Sequence, residues 1–140
     1  LNIVENINPF QLNIKGQYSI ADIGHADYIN PVDSSLYSFN NHTTTGYIMA
    51  SLRPAFAKSF IKNFEVAVRY GNYTSPANSL FGTKDNSLAV GLNYWLNWRT
   101  VIRYTYEAID ETNRVSTELG GTHGAITKSN SMYLQFSIQL

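Results

Sequence analysis

Four cations and two carboxylates, Lys15, Arg53, Arg69, Arg103, Glu65 and Glu107, sit on the polar side of segments whose residues alternate between polar and apolar. If that side faces an enclosed aqueous space, the excess of positive groups attracts anions, because low-dielectric walls strengthen the field in a narrow water-filled passage. The competing arrangement is cross-strand neutralisation, Arg103 with Glu65 and Arg69 with Glu107, which would leave no net field. Neither arrangement is catalytic. His25 stands in the run Asp22-Ile23-Gly24-His25-Ala26-Asp27, but its spacing, and that of His42 and His123, matches no metal-ligand pattern. No serine lies in a nucleophile elbow beside a recognisable base. Gly120, Gly121 and Gly124 lack the strand-to-helix context of a phosphate cradle. The expectation is therefore a non-enzyme with no metal and no cofactor.

Composition narrows the class further. Only 14% of the 140 residues are charged and the formal net charge is zero, whereas Asn, Ser, Thr and Gln together supply 43 residues. Polarity without charge suits a surface that is not simply bathed in water. The balanced charge also excludes the basic footprint of a general nucleic-acid binder. Apolar residues make up 44%, too many for a disordered chain. With no cysteine there is no disulfide framework and no thiolate site. No apolar run of eighteen residues exists to form a transmembrane helix. The start at Leu1, without an initiator Met or a signal segment, suggests a mature or truncated polypeptide.

The elements that must position the charges follow from a period of two. Phe10, Leu12, Ile14, Gly16, Tyr18 and Ile20 alternate with Gln11, Asn13, Lys15, Gln17 and Ser19, and Met132, Leu134, Phe136 and Ile138 alternate with Ser131, Tyr133, Gln135 and Ser137. Four further segments follow the same rule, predicting six strands near 9–21, 43–54, 62–72, 86–96, 100–110 and 129–140 in one unit spanning 1–140. The apolar positions are even-numbered in all six, so paired residues share parity and each connection holds an odd number of residues unless a bulge intervenes. Asn97-Trp98-Arg99 fits a three-residue turn. Connections alternate between short and long, with the long segments 21–45, 73–85 and 111–128 expected at one end. The segment 55–61 could form a helical turn.

Strands of this length match the 9–11 residues that cross a bilayer when tilted. An outer-membrane barrel turns its apolar face to lipid and its neutral-polar face to water, with aromatic belts and long loops on one side. Tyr94, Trp95 and Trp98 lie at a short-turn end, and Tyr18, Tyr70 and Tyr106 approach the long-loop ends. A soluble calycin-type barrel is the competitor, but its outer face should carry more Lys and Glu than is seen here.

The ordered elements Val68-Arg69-Tyr70 and Gly91-Leu92-Asn93-Tyr94-Trp95, followed by a short turn and by Thr100-Val101-Ile102-Arg103-Tyr104, resemble the closing strands of the phosphate-selective porin O and P family over roughly residues 46–140. This chain differs in ending on Leu140 rather than Phe and in lacking a lysine ladder in its long loops. The resemblance implies an all-β, antiparallel transmembrane β-barrel of about sixteen to eighteen strands, of which these residues form the C-terminal portion. It further implies a bacterial outer-membrane location, contact with membrane lipid, and assembly as a homotrimer or with other outer-membrane protein chains. The expected function is porin-type passive diffusion of small polar solutes with weak anion preference. The pore-lining candidates are Lys15, Arg53, Glu65, Arg69, Arg103 and Glu107. The alternative is a non-transport barrel acting as scaffold, adhesin or secretion-complex subunit.

Overall fold

The structure, a computed structural model, describes residues 1–29, 34, 36–76, 82–114 and 125–138. Seven strands follow one another in a single antiparallel meander: β1 (Asn2–Ile7), β2 (Phe10–Ile29), β3 (Leu36–Arg53), β4 (Phe64–Thr74), β5 (Gly82–Trp95), β6 (Thr100–Arg114) and β7 (Ala125–Ile138). Each strand pairs with its sequence neighbours and the sheet does not close, so β1 and β7 are its two edges. A single 3-10 turn, Phe60–Asn63, precedes β4. The helical propensity around 55–61 is thus realised slightly later than expected.

The shared parity governs the register from β2 to β7. Leu12, Leu52, Val66, Leu92, Tyr104 and Leu134 form one continuous row across six strands. Ile14, Ala50, Val68, Val90, Tyr106 and Met132 form the next. These rows share the convex face, where the side chains stay open: Leu134 is 76% and Met132 69% exposed. No large side chain is fully buried among the described residues. The sheet is a single layer, held by its ladder rather than by a core packed between layers.

Two departures from the expected six strands have physical causes. The added strand β1 is joined to β2 by a two-residue turn, Asn8-Pro9, so Ile7 faces Phe10 and Glu5 faces Leu12. An even loop inverts parity, placing Ile3, Glu5 and Ile7 on the convex face with the even residues of β2. The second departure is the segment 21–45. Its residues 21–29 and 36–45 continue β2 and β3 rather than forming a loop, and the pairing slips between Asp22 and His25. Ile23 and Gly24 there oppose the single residue Asn41, and Gly24 takes φ +84° while its N–H is accepted by Asp22 Oδ1 at 3.1 Å. The extra residue reverses which side chains face outward.

Above this bulge His25 and Asp27 share the convex side with Asn40 and Ser38, while Ala26, Tyr28 and Phe39 turn to the concave side. Tyr28 and Phe39 stack there at 5.7 Å, and Phe39 is 8% exposed. The strands β4, β5 and β6 also run past their expected ends into residues that are polar on both faces, such as Thr74, Lys84, Asp85, Glu111 and Thr112. Strand alternation is lost in these parts, so pattern reading stops short of them. The turn Asn97-Trp98-Arg99 is as expected, with Asn97 Oδ1 accepting the Arg99 N–H at 2.8 Å and Leu96 N–H donating to the Thr100 carbonyl. Gly120, Gly121, His123, Gly124 and Leu140 lie outside the described residues.

Gly24 supplies a backbone conformation that a β-branched residue resists. Replacing Gly24 with Val is expected to destabilise the sheet by roughly 1–2 kcal/mol, and with Asn by less. Urea unfolding of the refolded protein checks this, and equal stability of all three proteins would show that the bulge is not held by the glycine.

Candidate functional site

The odd-numbered residues of β2 to β7 converge on the concave face, which encloses an open depression of about 780 Å³. Those around the depression fall into three tiers set by the register, with further rows of the same parity beyond the third. The tier nearest the short turns holds Gln11 and Arg53, then Glu65, Asn93, Arg103 and Gln135. A middle tier consists of Asn13, Ser51, Ala67, Gly91, Thr105 and Tyr133. The third holds Lys15, Met49, Arg69, Ala89, Glu107 and Ser131. All six residues expected to line a passage therefore occur on one wall.

The charges are held in place by neutral partners. Arg53 Nε donates to the Lys62 carbonyl at 2.8 Å, and its guanidinium stands 5.4 Å from the centre of the Trp95 ring. Trp95 Nε1 in turn donates to Glu65 Oε2 at 2.9 Å. Arg103 Nε donates to Asn93 Oδ1 at 3.0 Å, and Asn93 is only 5% exposed. Arg69 lies 4.8 Å over the Tyr47 ring. These cation–π and amide contacts orient a guanidinium without cancelling its charge.

The expected pairs Arg103–Glu65 and Arg69–Glu107 do not form. The register puts Asn93 between the first two and Ala89 between the second two. Members of each pair are thus two strands apart, about 9–10 Å at the usual strand spacing. Among the described residues the ion pairs within 4.0 Å are His25–Asp27, His42–Asp22 and Lys128–Asp110, none of them on this wall. The depression itself keeps four cations against two carboxylates, while two further carboxylates, Asp85 and Glu111, face the same concave side four residues beyond the Ala89–Glu107 pair along β5 and β6.

The aromatic belts need correction. Tyr94 faces the convex side beside Phe64, with ring centres 4.9 Å apart, but Trp95 points to the concave side and Trp98 sits in the turn under Arg99. Tyr106 belongs to a row inside the apolar band rather than to its end. Trp95, Asn93 and Tyr47 were visible as polar-face residues. Charge alone did not single them out, because their role is to fix neighbouring charges.

His25 shows a superficially hydrolytic grouping on the convex side. Ser38 Oγ hydrogen-bonds both His25 Nε2 and Asp27 Oδ1, and Asp27 Oδ1 is itself 3.2 Å from that same nitrogen. His25 Nδ1 meets Asn40 Oδ1 at 3.4 Å. A relay needs serine on one ring nitrogen and carboxylate on the other. Here both crowd one nitrogen, so no activated serine results. Among the described residues no three His, Cys, Asp or Glu side chains are grouped to hold a metal ion.

Searches against protein-family profiles, curated proteins and solved structures find no match to this chain.

Asn93 is buried and carries the sole described side-chain acceptor of Arg103. Replacing Asn93 with Leu removes that acceptor while the exposed guanidinium turns to water, and a loss of about 0.5–1.5 kcal/mol in unfolding free energy is expected. Denaturant titration of the refolded protein measures it, and an unchanged midpoint would mean that Arg103 is held by water instead.

Proposed function

We propose that the chain forms part of the wall of a bacterial outer-membrane channel of porin type, admitting small polar solutes by passive diffusion with a weak preference for anions. The observation that carries this reading is the division of one single-layer sheet into an apolar convex face and a polar concave face whose depression gathers four cations and two carboxylates with no ion pair among them. A soluble sheet with the convex face seen here would expose an apolar surface far beyond the few hundred Å² usual for a monomer. Lipid removes that difficulty.

The extent of the apolar band supports the same reading. It runs from the row of Ile138 to the row of Ile48, Tyr70, Leu88 and Ala108, eight residues along β7. At the rise of a strand this is about 27 Å, and a tilt near 40° reduces it to a height of roughly 20 Å, close to the hydrocarbon band of such barrels. Beyond that row the convex side of β4 to β7 turns polar with Asn72, Asn86, Asp110 and Lys128, while on β2 it stays apolar through Tyr18 and Ile20. Seven strands with two free edges need completion, because hydrocarbon satisfies no backbone group. The chain is then a portion of a larger barrel, in keeping with its resemblance to the closing strands of phosphate-selective porins.

In this orientation the short turns face the periplasm, and the ends of β2 and β3 with their polar convex surface project outside the cell. The wall performs no catalytic step. Lys15, Arg53, Arg69 and Arg103 raise the local concentration of anions against the smaller effect of Glu65 and Glu107. Trp95, Asn93 and Tyr47 hold the guanidinium groups so that the passage stays positively biased without cross-wall pairing.

Two measurements test the proposal. Spin labels at Val90 and Ile138 should report lipid while labels at Ala89 and Ser137 report water, and the reverse would favour a soluble sheet. In planar bilayers, replacing both Arg69 and Arg103 with Gln should move the reversal potential of a salt gradient towards cation preference while the protein remains folded. An unchanged potential would remove the anion-focusing role.

A further inference from the structure

One carboxylate lies on the wrong face for a lipid-exposed wall. Glu5 points to the convex side across from Leu12, in the row continued by Leu52, Val66, Leu92, Tyr104 and Leu134. Phe10 and Ile7 lie in the row below it, and Ile14 and Ile3 in the row above. It is exposed, and among the described residues it has no ion pair. Among the described residues it is the only charged side chain on the convex face within the apolar band. The parity inversion at Asn8-Pro9 is what puts it there.

We infer that the strand pairing with the free edge of β1 presents an outward-facing Lys or Arg across from Glu5. The inference rests on the membrane reading above. A carboxylate inside hydrocarbon is unfavourable, whereas one directly opposite a basic side chain on a neighbouring strand is stabilised by a charge-assisted contact at close range. β1 has an open edge on which such a strand must lie.

Strand direction identifies the kind of partner. β1 and β7 both run towards the short-turn end, since the seven strands alternate and both are odd in the order. A second copy presenting β7 to β1 would therefore pair in parallel, against the antiparallel rule of these walls. A second copy presenting its own β1 would place its short turns on the opposite side of the membrane. Neither edge would supply the charge: β1 has no Lys or Arg, and the Lys128 of β7 lies above the apolar band. The occupant is a different segment, running from the short-turn end upwards, with an outward-facing base at the level of Glu5. An antiparallel ring that joins β1 back to β7 must then contain an odd number of such added strands.

The test uses the complete channel-forming protein in outer membranes, scored by the fraction that resists unfolding in cold detergent, with Glu5 replaced by Leu or by Asp. If Glu5 faced lipid, leucine would raise that fraction or leave it unchanged, and the inference would be overturned. A several-fold fall with leucine and near-parental behaviour with aspartate is the expected result. Leu92→Glu separates the two readings: it puts a carboxylate in the same row at the middle of the sheet, so its failure to impair assembly would sink the membrane reading instead.

Discussion

The backbone ladder is the constraint on which everything else depends. In this protein β4, β5 and β6 are paired on both sides along most of their length, β2 beyond Gly16 and β3 before Thr44 pair only with each other, and among the described residues no second layer covers either face. A single-layer sheet cannot bury its apolar side chains against itself, so the shape of the molecule is set by which residues the pleat sends to each side. Period-two alternation therefore fixes the register of β2 to β7 and also gathers every wall charge onto one concave surface. Changing the register by one residue would move Arg69, Arg103 and their companions to the convex side together.

Within that frame the tiers divide the labour of the wall. The charged tiers contain Arg53, Glu65 and Arg103 on one side and Lys15, Arg69 and Glu107 on the other, separated by Ser51, Ala67, Gly91 and Thr105. Small residues leave the middle of the depression open, and long charged residues narrow it above and below. Asn93 and Ser51 are each only 5% exposed although they face the depression, because the longer side chains beside them fold over the wall. Aromatic rings on the polar face serve as supports: a guanidinium laid over Trp95 or Tyr47 loses rotamer freedom but keeps its field.

How much of this was legible in the sequence depended on whether local pattern and global pairing agreed. The strands carrying Val66, Val68, Val90, Leu92, Ile102 and Tyr104 alternate cleanly, and their pairing follows from parity alone. The strand of Ile3, Glu5 and Ile7 was missed because its alternation is short, interrupted by Val4, and out of phase with every other strand. The upper parts of β2 and β3 were missed for a different reason: the bulge at Ile23 and Gly24 reverses the pattern midway, so a search for one continuous period reads the end of a strand where the backbone goes on. The charge contacts were harder still. Glu65 and Arg103 look complementary in a sequence, and only the register reveals that Asn93 lies between them.

The two parity inversions share a physical logic. At the bulge, the change of phase coincides with the level at which the convex side stops being apolar, so His25, Asp27, Ser38 and Asn40 take the outward positions and Tyr28 and Phe39 pack on the inner side. Phase reversal there matches each face to a change in surroundings. At Asn8-Pro9 the change of phase comes at the sheet's edge instead, in a strand whose neighbours on one side are wholly apolar. If surroundings again dictate phase, the medium next to β1 differs from that next to Leu92, and a polypeptide neighbour supplies such a difference at an edge that still needs backbone partners.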